Sequence, residues 1–223
     1  MELDYIMKLG GSLLTDLEKT RILLNRIQKS RNTKVVYTVG SGYLGDVYKQ
    51  WIKDEHDIDV PFDNSIKIWS DIQSINANIL VSLNDSFVVC DNENKVNEAL
   101  KNGKRPILDA AGFHDYFRNL KYQTTDVRTA YLCHVLGCKN LVIVTDVDGI
   151  YETDPKKDSE AKKISQIKAQ KLIEMGRTSV DQGLAELLIE YELNAYVIGI
   201  DGLVQSKDFS RKTIQDNGTT IEH

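Results

Sequence analysis

The spacing of apolar and polar positions divides the chain into short buried strands joined by amphipathic helices. Strand-length apolar runs occur at 3–9, 34–39, 87–90, 106–108, 141–144 and 195–199, and 218–221 suggests a final short strand. Helical spacing occupies much of the chain between them, most clearly at 13–27, 64–82 and 94–101. Strands that alternate with helices predict a mainly parallel sheet with right-handed, helix-containing crossovers. The pattern therefore predicts an α/β fold.

A glycine turn follows the first strand, in the sequence Lys8-Leu9-Gly10-Gly11-Ser12. Two glycines let the backbone come close to a ligand, and amides at a helix start favour an anion. Lys8 adds a full positive charge at the end of the strand. The turn therefore indicates a phosphate cradle, with an ordinary tight turn as the alternative.

A second glycine turn, Gly40-Ser41-Gly42-Tyr43-Leu44-Gly45, follows the second strand and reads as G-x-G-x-x-G. In a dinucleotide-binding protein, an acidic residue would follow at the end of another strand about 20 residues later. The chain has the polar run 54–57 instead. An oxidoreductase that binds NAD(H) through this turn stays open as an alternative.

The stretch 124–155 places hydroxyl and acidic side chains both before a helix and after a buried strand. Thr124-Thr125-Asp126 offers capping groups before a helix, and the buried run 141–144 ends in Thr145-Asp146-Val147-Asp148-Gly149. Open α/β proteins bind their ligands where strands leave the sheet. A strand followed by a simple turn is the alternative. Farther along, Ser179 to Gln182 has the spacing of a capping box at the start of another helix.

Composition limits the functional class. The 223 residues include 41% hydrophobic and 27% charged residues, which predicts one globular domain over 1–223. The net charge of −5 and the absence of a basic patch argue against nucleic acid as a partner. With no run long enough to span a bilayer we expect a cytoplasmic protein. The three cysteines and four histidines lack metal-site spacing, so no protein metal site is expected.

In their order along the chain, these motifs resemble those of the amino acid kinase superfamily, which includes acetylglutamate, aspartate, uridylate and isopentenyl phosphate kinases. The resemblance rests on Lys-Leu-Gly-Gly-Ser, the second glycine turn, Thr-Thr-Asp, Thr-Asp-Val-Asp-Gly-Ile-Tyr with a later Asp-Pro, and a final Gly-Thr-x-Ile, and covers nearly the whole chain. Thr178-Ser179-Val180-Asp181 with the leucines after it is similar to a small archaeal branch that includes aminomethylfuran-methyl phosphate kinase.

The resemblance implies a three-layer α/β/α sandwich with a mainly parallel central sheet, in one domain. It implies an ATP-dependent kinase that transfers the γ-phosphoryl group to a small metabolite, including a phosphorylated one such as an aminomethylfuran-methyl phosphate. Mg²⁺ would arrive with the nucleotide. The acceptor would lie over the N-terminal half and ATP over the C-terminal half, and the protein would form homo-oligomers.

The resemblance also assigns roles to residues. Lys8 would contact the transferring phosphoryl group and Asp126 would orient that lysine. The phosphate and acceptor would be held by Gly10, Gly11, Ser12, Gly40, Ser41 and Gly42. The nucleotide would be framed by Thr145, Asp146, Tyr151, Asp154, Pro155 and Lys156.

The chain departs from the superfamily pattern at two points. The second glycine turn reads Val-Gly-Ser-Gly, where relatives carry consecutive glycines, so a serine hydroxyl enters the acceptor side. A second phosphate-binding lysine is missing near Gln182 and Gly183, and Arg177, Lys156 or Lys157 would have to supply its charge. Without that charge, the alternative is a nucleotide-binding sensor or storage protein on the same fold.

Overall fold

An eight-stranded, mostly parallel β-sheet organises the fold in the computed structural model, which describes residues 2–30, 34–176, 178–181 and 183–223. The strands are β1 (Tyr5–Leu9), β2 (Val35–Val39), β3 (Phe87–Cys90), β4 (Arg105–Leu108), β5 (Asn140–Thr145), β6 (Ile150–Tyr151), β7 (Lys163–Ile164), β8 (Gln166–Lys168), β9 (Asn194–Gly199) and β10 (Thr219–Glu222). The sheet order is β3-β4-β2-β1-β5-β9-β10-β8, and β6 pairs with β7 in a separate antiparallel hairpin. Within the large sheet, β10 runs antiparallel to β9, whereas the other neighbours are parallel.

Helices connect most of the strands. They are α1 (Leu17–Lys29), α2 (Gly42–Lys49), α3 (Phe62–Leu83), α4 (Glu93–Lys101), α5 (Thr125–Val135), α6 (Ala169–Met175), α7 (Leu184–Glu190), α8 (Ile200–Gln205) and α9 (Arg211–Asn217). A π-helical turn at Gln50–Glu55 extends α2, and 3₁₀ turns occupy Gly11–Thr15 and His114–Phe117. Among the described residues, no helix combines the length and apolarity needed to cross a membrane.

The sheet separates two hydrophobic cores, because successive side chains of a strand point to opposite faces. Ile6 belongs to a core with Val127 of α5 and Leu188 of α7. Its neighbour Met7 belongs to the other core, with Leu23 of α1 and residues of α3, α8 and α9. Helices therefore cover both faces, and the predicted three-layer α/β/α sandwich is confirmed.

The strand register brings the predicted motifs to one edge of the sheet. β1 lies between β2 and β5, and Leu9 is level with both Val39 and Val144. These three strands are parallel, so the loops that follow them leave the sheet side by side, about 4.8 Å apart per strand. The two glycine turns and the Thr145–Gly149 loop are thereby neighbours in space.

Two predicted helix starts are wrong. The helix predicted from Leu13 begins instead at Leu17, where the Asp16 side chain accepts a hydrogen bond from Lys19 N at 2.9 Å. Gly11–Thr15 forms a short 3₁₀ turn, so no long-helix dipole points at the first glycine turn. The capping box at Ser179 also fails, because α7 begins at Leu184.

Some apolar side chains at helical spacing are exposed. Leu44, Val47 and Trp51 share one face of α2 and its π-helical extension, yet they are at least 36% exposed. Ile75, which continues the apolar spacing of α3, is 52% exposed. Hydrophobic spacing marks one side of a helix, and it does not say what covers that side.

Candidate active site

The two glycine turns are in direct backbone contact. A Cβ atom on Gly11 would lie 2.1 Å from Gly42 N, and one on Gly40 would lie 2.5 Å from Gly11 N. Gly42 also has φ +52, a conformation that side chains disfavour. The turns therefore need glycine in order to fit against each other. The chain itself fills the space beside Gly42, which argues against a dinucleotide there.

Hydrogen bonds already engage part of these turns. Gly10 N donates to Val144 O at 2.8 Å, and Gly40 N donates to Leu9 O at 2.9 Å. The Asn76 side chain of α3 donates to the carbonyls of Gly40 and Ser41, at 2.8 Å each. Of the predicted phosphate-binding amides, those of Gly10 and Gly40 thus have protein acceptors. Those of Gly11 and Ser12 open the 3₁₀ turn, where the first N–H groups have no acceptor within the helix.

A buried ion pair joins β1 to α5 at the same edge. Lys8 Nζ donates to Asp126 Oδ1, and the two side chains are 12% and 2% exposed. Asp126 lies in the first turn of α5, after the N-cap Thr124, whose hydroxyl accepts from Val127 N at 3.4 Å. The structure therefore brings together the two residues predicted to be catalytic. The carboxylate fixes the ammonium of Lys8, which retains some access to solvent.

Asp181 is a third charged group at this pair, and sequence reasoning did not single it out as a site residue. Its backbone N–H donates to Asp126 Oδ2 at 2.8 Å, so both oxygens of Asp126 are engaged. Burial and the nearby charge of Asp126 raise the pKa of the Asp181 carboxyl, while Lys8 opposes that rise. The capping box predicted at Ser179 placed Asp181 inside a helix, and a helical position gave no reason to expect a contact with Asp126.

An open cleft of about 750 Å³ lies at the ends of β5 and β6. All six residues predicted to frame the nucleotide line it: Thr145, Asp146, Tyr151, Asp154, Pro155 and Lys156. Its size is within the range of small-molecule sites. Because β5 is the neighbour of β1, the cleft opens beside the end of the strand that carries Lys8.

The rim of the cleft is ordered by hydrogen bonds between charged groups. Lys156 Nζ donates to Asp146 Oδ2 at 2.9 Å, and this bond lowers the pKa of Asp146. Tyr151 and Lys163 both donate to the Asp148 carboxylate. Thr219 braces the same loop, because its hydroxyl accepts from Ile150 N at 2.8 Å. Lys163 and Thr219 were not predicted, since the sequence places them far from the loop.

The positive charge that would replace the second lysine is confined to the rim. The side chain of Lys156 is 67% exposed and that of Lys157 is 84% exposed, and each pairs with an aspartate of the cleft. Arg177 and Gln182 lie outside the described residues. Gly183 has φ +91 and packs on the ring of Tyr122, where a Cβ would lie 2.1 Å from a ring carbon. Lys156 and Lys157 are thus the described candidates, and both line the cleft.

Comparison with known proteins agrees with this geometry. A sequence model of the amino acid kinase family matches residues 5–199. The uridylate kinase of Thermococcus kodakarensis is 30% identical over 212 residues, covering 87% of this chain and 89% of that protein. The [5-(aminomethyl)furan-3-yl]methyl phosphate kinase of Methanocaldococcus jannaschii is 28% identical over 198 residues, covering 87% of each chain.

A solved structure shows the same fold. The uridylate kinase of Archaeoglobus fulgidus superimposes with a TM-score of 0.70 at 23% identity, covering 98% of this chain and 100% of that one. The sequence relatives are kinases, and this chain is accordingly an ATP-dependent phosphotransferase that belongs to the amino acid kinase family.

Proposed function

We propose that the protein transfers the γ-phosphoryl group of ATP to a small metabolite that itself carries a phosphate, such as an aminomethylfuran-methyl phosphate. The observation that carries this proposal is the buried Lys8–Asp126 pair, which lies beside a cleft large enough for a nucleotide. Both sequence relatives described above have names that specify phosphate-bearing acceptors, which supports the acceptor class.

In this proposal each cluster has one task. Thr145, Asp146 and Tyr151 hold the nucleotide in the cleft, and Lys8 neutralises charge on the transferring group. Phosphoryl transfer depends mainly on in-line positioning and on charge stabilisation, so few protein groups need to react. A lysine held by Asp126 meets that need, because a preorganised charge requires no rearrangement during the reaction. Gly40, Ser41 and Gly42 face the acceptor.

Mg²⁺ fits the chemistry of the site, because it prefers oxygen ligands and keeps several waters. Asp126 and Asp146 are the carboxylates that would orient its water ligands. The described residues contain no cluster of three metal-ligating side chains, so the ion would enter with the ATP phosphates. When bound, the Mg²⁺ ion would neutralise phosphate charge, which is also the role of the second phosphate-binding lysine that relatives in the superfamily carry.

The test measures ADP release from MgATP across a panel of phosphorylated and unphosphorylated small acceptors. We expect acceptor-dependent ADP, and we expect Lys8→Met to lower kcat at least about a hundredfold. Lys104→Met is the matched control, because Lys104 lies on the surface and donates to Asp85 O. Full activity in Lys8→Met would remove Lys8 from the mechanism.

A second candidate function is a nucleotide-binding sensor or storage protein. The missing second lysine favours it, since the described replacements, Lys156 and Lys157, are exposed and paired with aspartates. Calorimetry distinguishes the two functions. ATP binding without ADP release for any acceptor would support the sensor, whereas acceptor-dependent turnover would exclude it.

The surface also supports a homo-oligomer. Twelve large hydrophobic side chains are exposed in the described residues, and six of them lie between residues 43 and 62: Tyr43, Leu44, Val47, Trp51, Ile58 and Phe62. We call this group the α2 face. Monomeric proteins rarely leave large apolar patches open to water. A second copy of the chain is the occupant that this proposal assigns to it.

A further inference from the structure

The segment Thr178–Asp181 contacts both halves of the candidate site. At one end, Thr178 and Ser179 line the nucleotide cleft, and Ser179 Oγ donates to Gly149 O at 3.0 Å. At the other end, Asp181 N donates to Asp126 Oδ2 at 2.8 Å. Four consecutive residues therefore join the cleft wall to the carboxylate that holds Lys8.

The contact between residues 181 and 126 runs in both directions. Asp181 Oδ2 lies 3.5 Å from Asp126 N, at the first turn of α5, while the Asp181 N–H donates to the Asp126 side chain. The carboxyl groups of Asp126 and Asp181 thus lie together at the α5 N-terminus, and the charge of Lys8 acts on both. This gives Lys8 one more negative neighbour than the predicted Lys8–Asp126 pair supplies.

We propose that Asp181 is a positioning residue for phosphoryl transfer, which holds Asp126 against Lys8 and adds negative charge beside the lysine. This inference rests on the proposed kinase function. Asp181 acts through Asp126 rather than on the substrate. Because its segment also lines the cleft, nucleotide contact at Thr178 and Ser179 and the placement of Lys8 depend on the same four residues.

The arrangement has a consequence for pH dependence. The charged groups that act on Asp181 are Asp126 from α5, which favours its protonation, and Lys8 from β1, which opposes it. With burial, the balance raises the pKa of Asp181 above its ordinary value. Asp181 therefore becomes neutral sooner than an exposed aspartate as pH falls. Activity that requires its charge then declines on the acid side.

The variant Asp181→Asn tests this, because it keeps the backbone donor and the side-chain size but removes the charge. We expect kcat to fall about ten- to a hundredfold while KM for ATP changes by about twofold or less, as for a misplaced catalytic group. The acid limb of the kcat profile should disappear in Asp181→Asn and remain in Asp181→Glu. Asp208→Asn is the matched control, since Asp208 caps an exposed turn through Thr213 and Ser210.

A second readout does not require turnover. Lys8 is acylated with an amine-reactive anhydride, and its labelling rate is followed by peptide mass spectrometry. Because Asp181 holds Asp126 in this proposal, its replacement by Asn should loosen the Lys8–Asp126 ion pair, so labelling should be faster in Asp181→Asn than in the wild type or in Asp208→Asn. If Asp181→Asn does not fold, the labelling rate of Lys8 is measured in Asp181→Glu instead. That variant keeps the negative charge, so we expect a rate close to that of the wild type.

The outcomes are distinguishable. If the wild type transfers the phosphoryl group to no acceptor, the proposed function is contradicted. The Lys8 labelling rate then tests by itself whether Asp181 holds Asp126 against Lys8. An active wild type with unchanged kcat, acid limb and Lys8 labelling in Asp181→Asn overturns the role of Asp181. Faster labelling together with the lost acid limb supports it.

Discussion

At the scale of single residues, Arg128 is a buried cation that no sequence pattern predicted. It is 1% exposed, and its guanidinium donates to Gln123 Oε1 at 3.3 and 3.2 Å and to Ser70 Oγ at 3.2 Å. It also lies 4.9 Å from the Phe117 ring centroid. Burial lowers its pKa to about 10. Arg128 therefore fixes the segment before α5 through neutral partners.

We expect Arg128→Lys to reduce the free energy of unfolding by about 2 kcal/mol, because one ammonium cannot reach both Gln123 and Ser70, and hydrogen bonds to charged groups are worth about 1.5–3 kcal/mol. Urea unfolding measures the change. Arg118→Lys is the control, since Arg118 forms an exposed pair with Asp115 and its replacement should have little effect. Equal stability of the two variants would show that the fork geometry is unimportant.

We also expect Gly11→Ala to destabilise the protein by about 3 kcal/mol or more, because the new methyl group would meet the backbone of Gly42 rather than a movable side chain. Gly103→Ala is the matched control. Gly103 has φ +68, but no atom lies within 4 Å of the position that its Cβ would take, so only the backbone cost of about 1–2 kcal/mol remains. Thermal unfolding compares them, and similar losses would refute the steric explanation.

At the scale of elements, the apolar runs predicted seven of the ten strands in the described residues, whereas the helix starts read at Leu13 and Ser179 were wrong. The run 141–144 lies in β5 at Asn140–Thr145, because a short continuous apolar run fits a strand that is buried on both faces of a parallel sheet. Helix starts depend on which side chain caps the first turn, and several candidates compete in sequence. Asp16 caps α1, whereas Ser179 donates to Gly149 O and lies five residues before the start of α7. Local pattern cannot decide between such partners.

At this scale we predict that the α2 face forms the contact between two copies of the chain. We expect Trp51→Lys to lower the solution mass measured by light scattering toward that of a single chain, because a charge in a buried apolar interface is costly. Ile22→Lys on α1 is the control, since Ile22 is similarly exposed at 49% and lies outside the α2 face. A wild type that is already monomeric, or a loss of mass in both variants, would contradict this assignment.

At the scale of the whole molecule, the order of the motifs predicted which residues would meet. Lys8 and Asp126 are 118 residues apart and form the ion pair that the family resemblance implied. The same reasoning could not find Asp181 or Arg128, because their roles depend on contacts between segments that carry no local pattern. It also gave no orientation for β10, since a short apolar run pairs equally well in either direction.

The placement of β10 has a consequence for the order in which the sheet assembles. β8 lies at the edge of the large sheet, where its neighbour is β10, although β8 comes earlier in the chain. β8 can therefore enter the sheet only after β10 has paired with β9. Thr219, which braces the Thr145–Gly149 loop, is the first residue of β10 and takes its place in the same step. A chain truncated before Gly218 would therefore leave β8 without its neighbour and open to aggregation, with the Thr145–Gly149 loop unbraced.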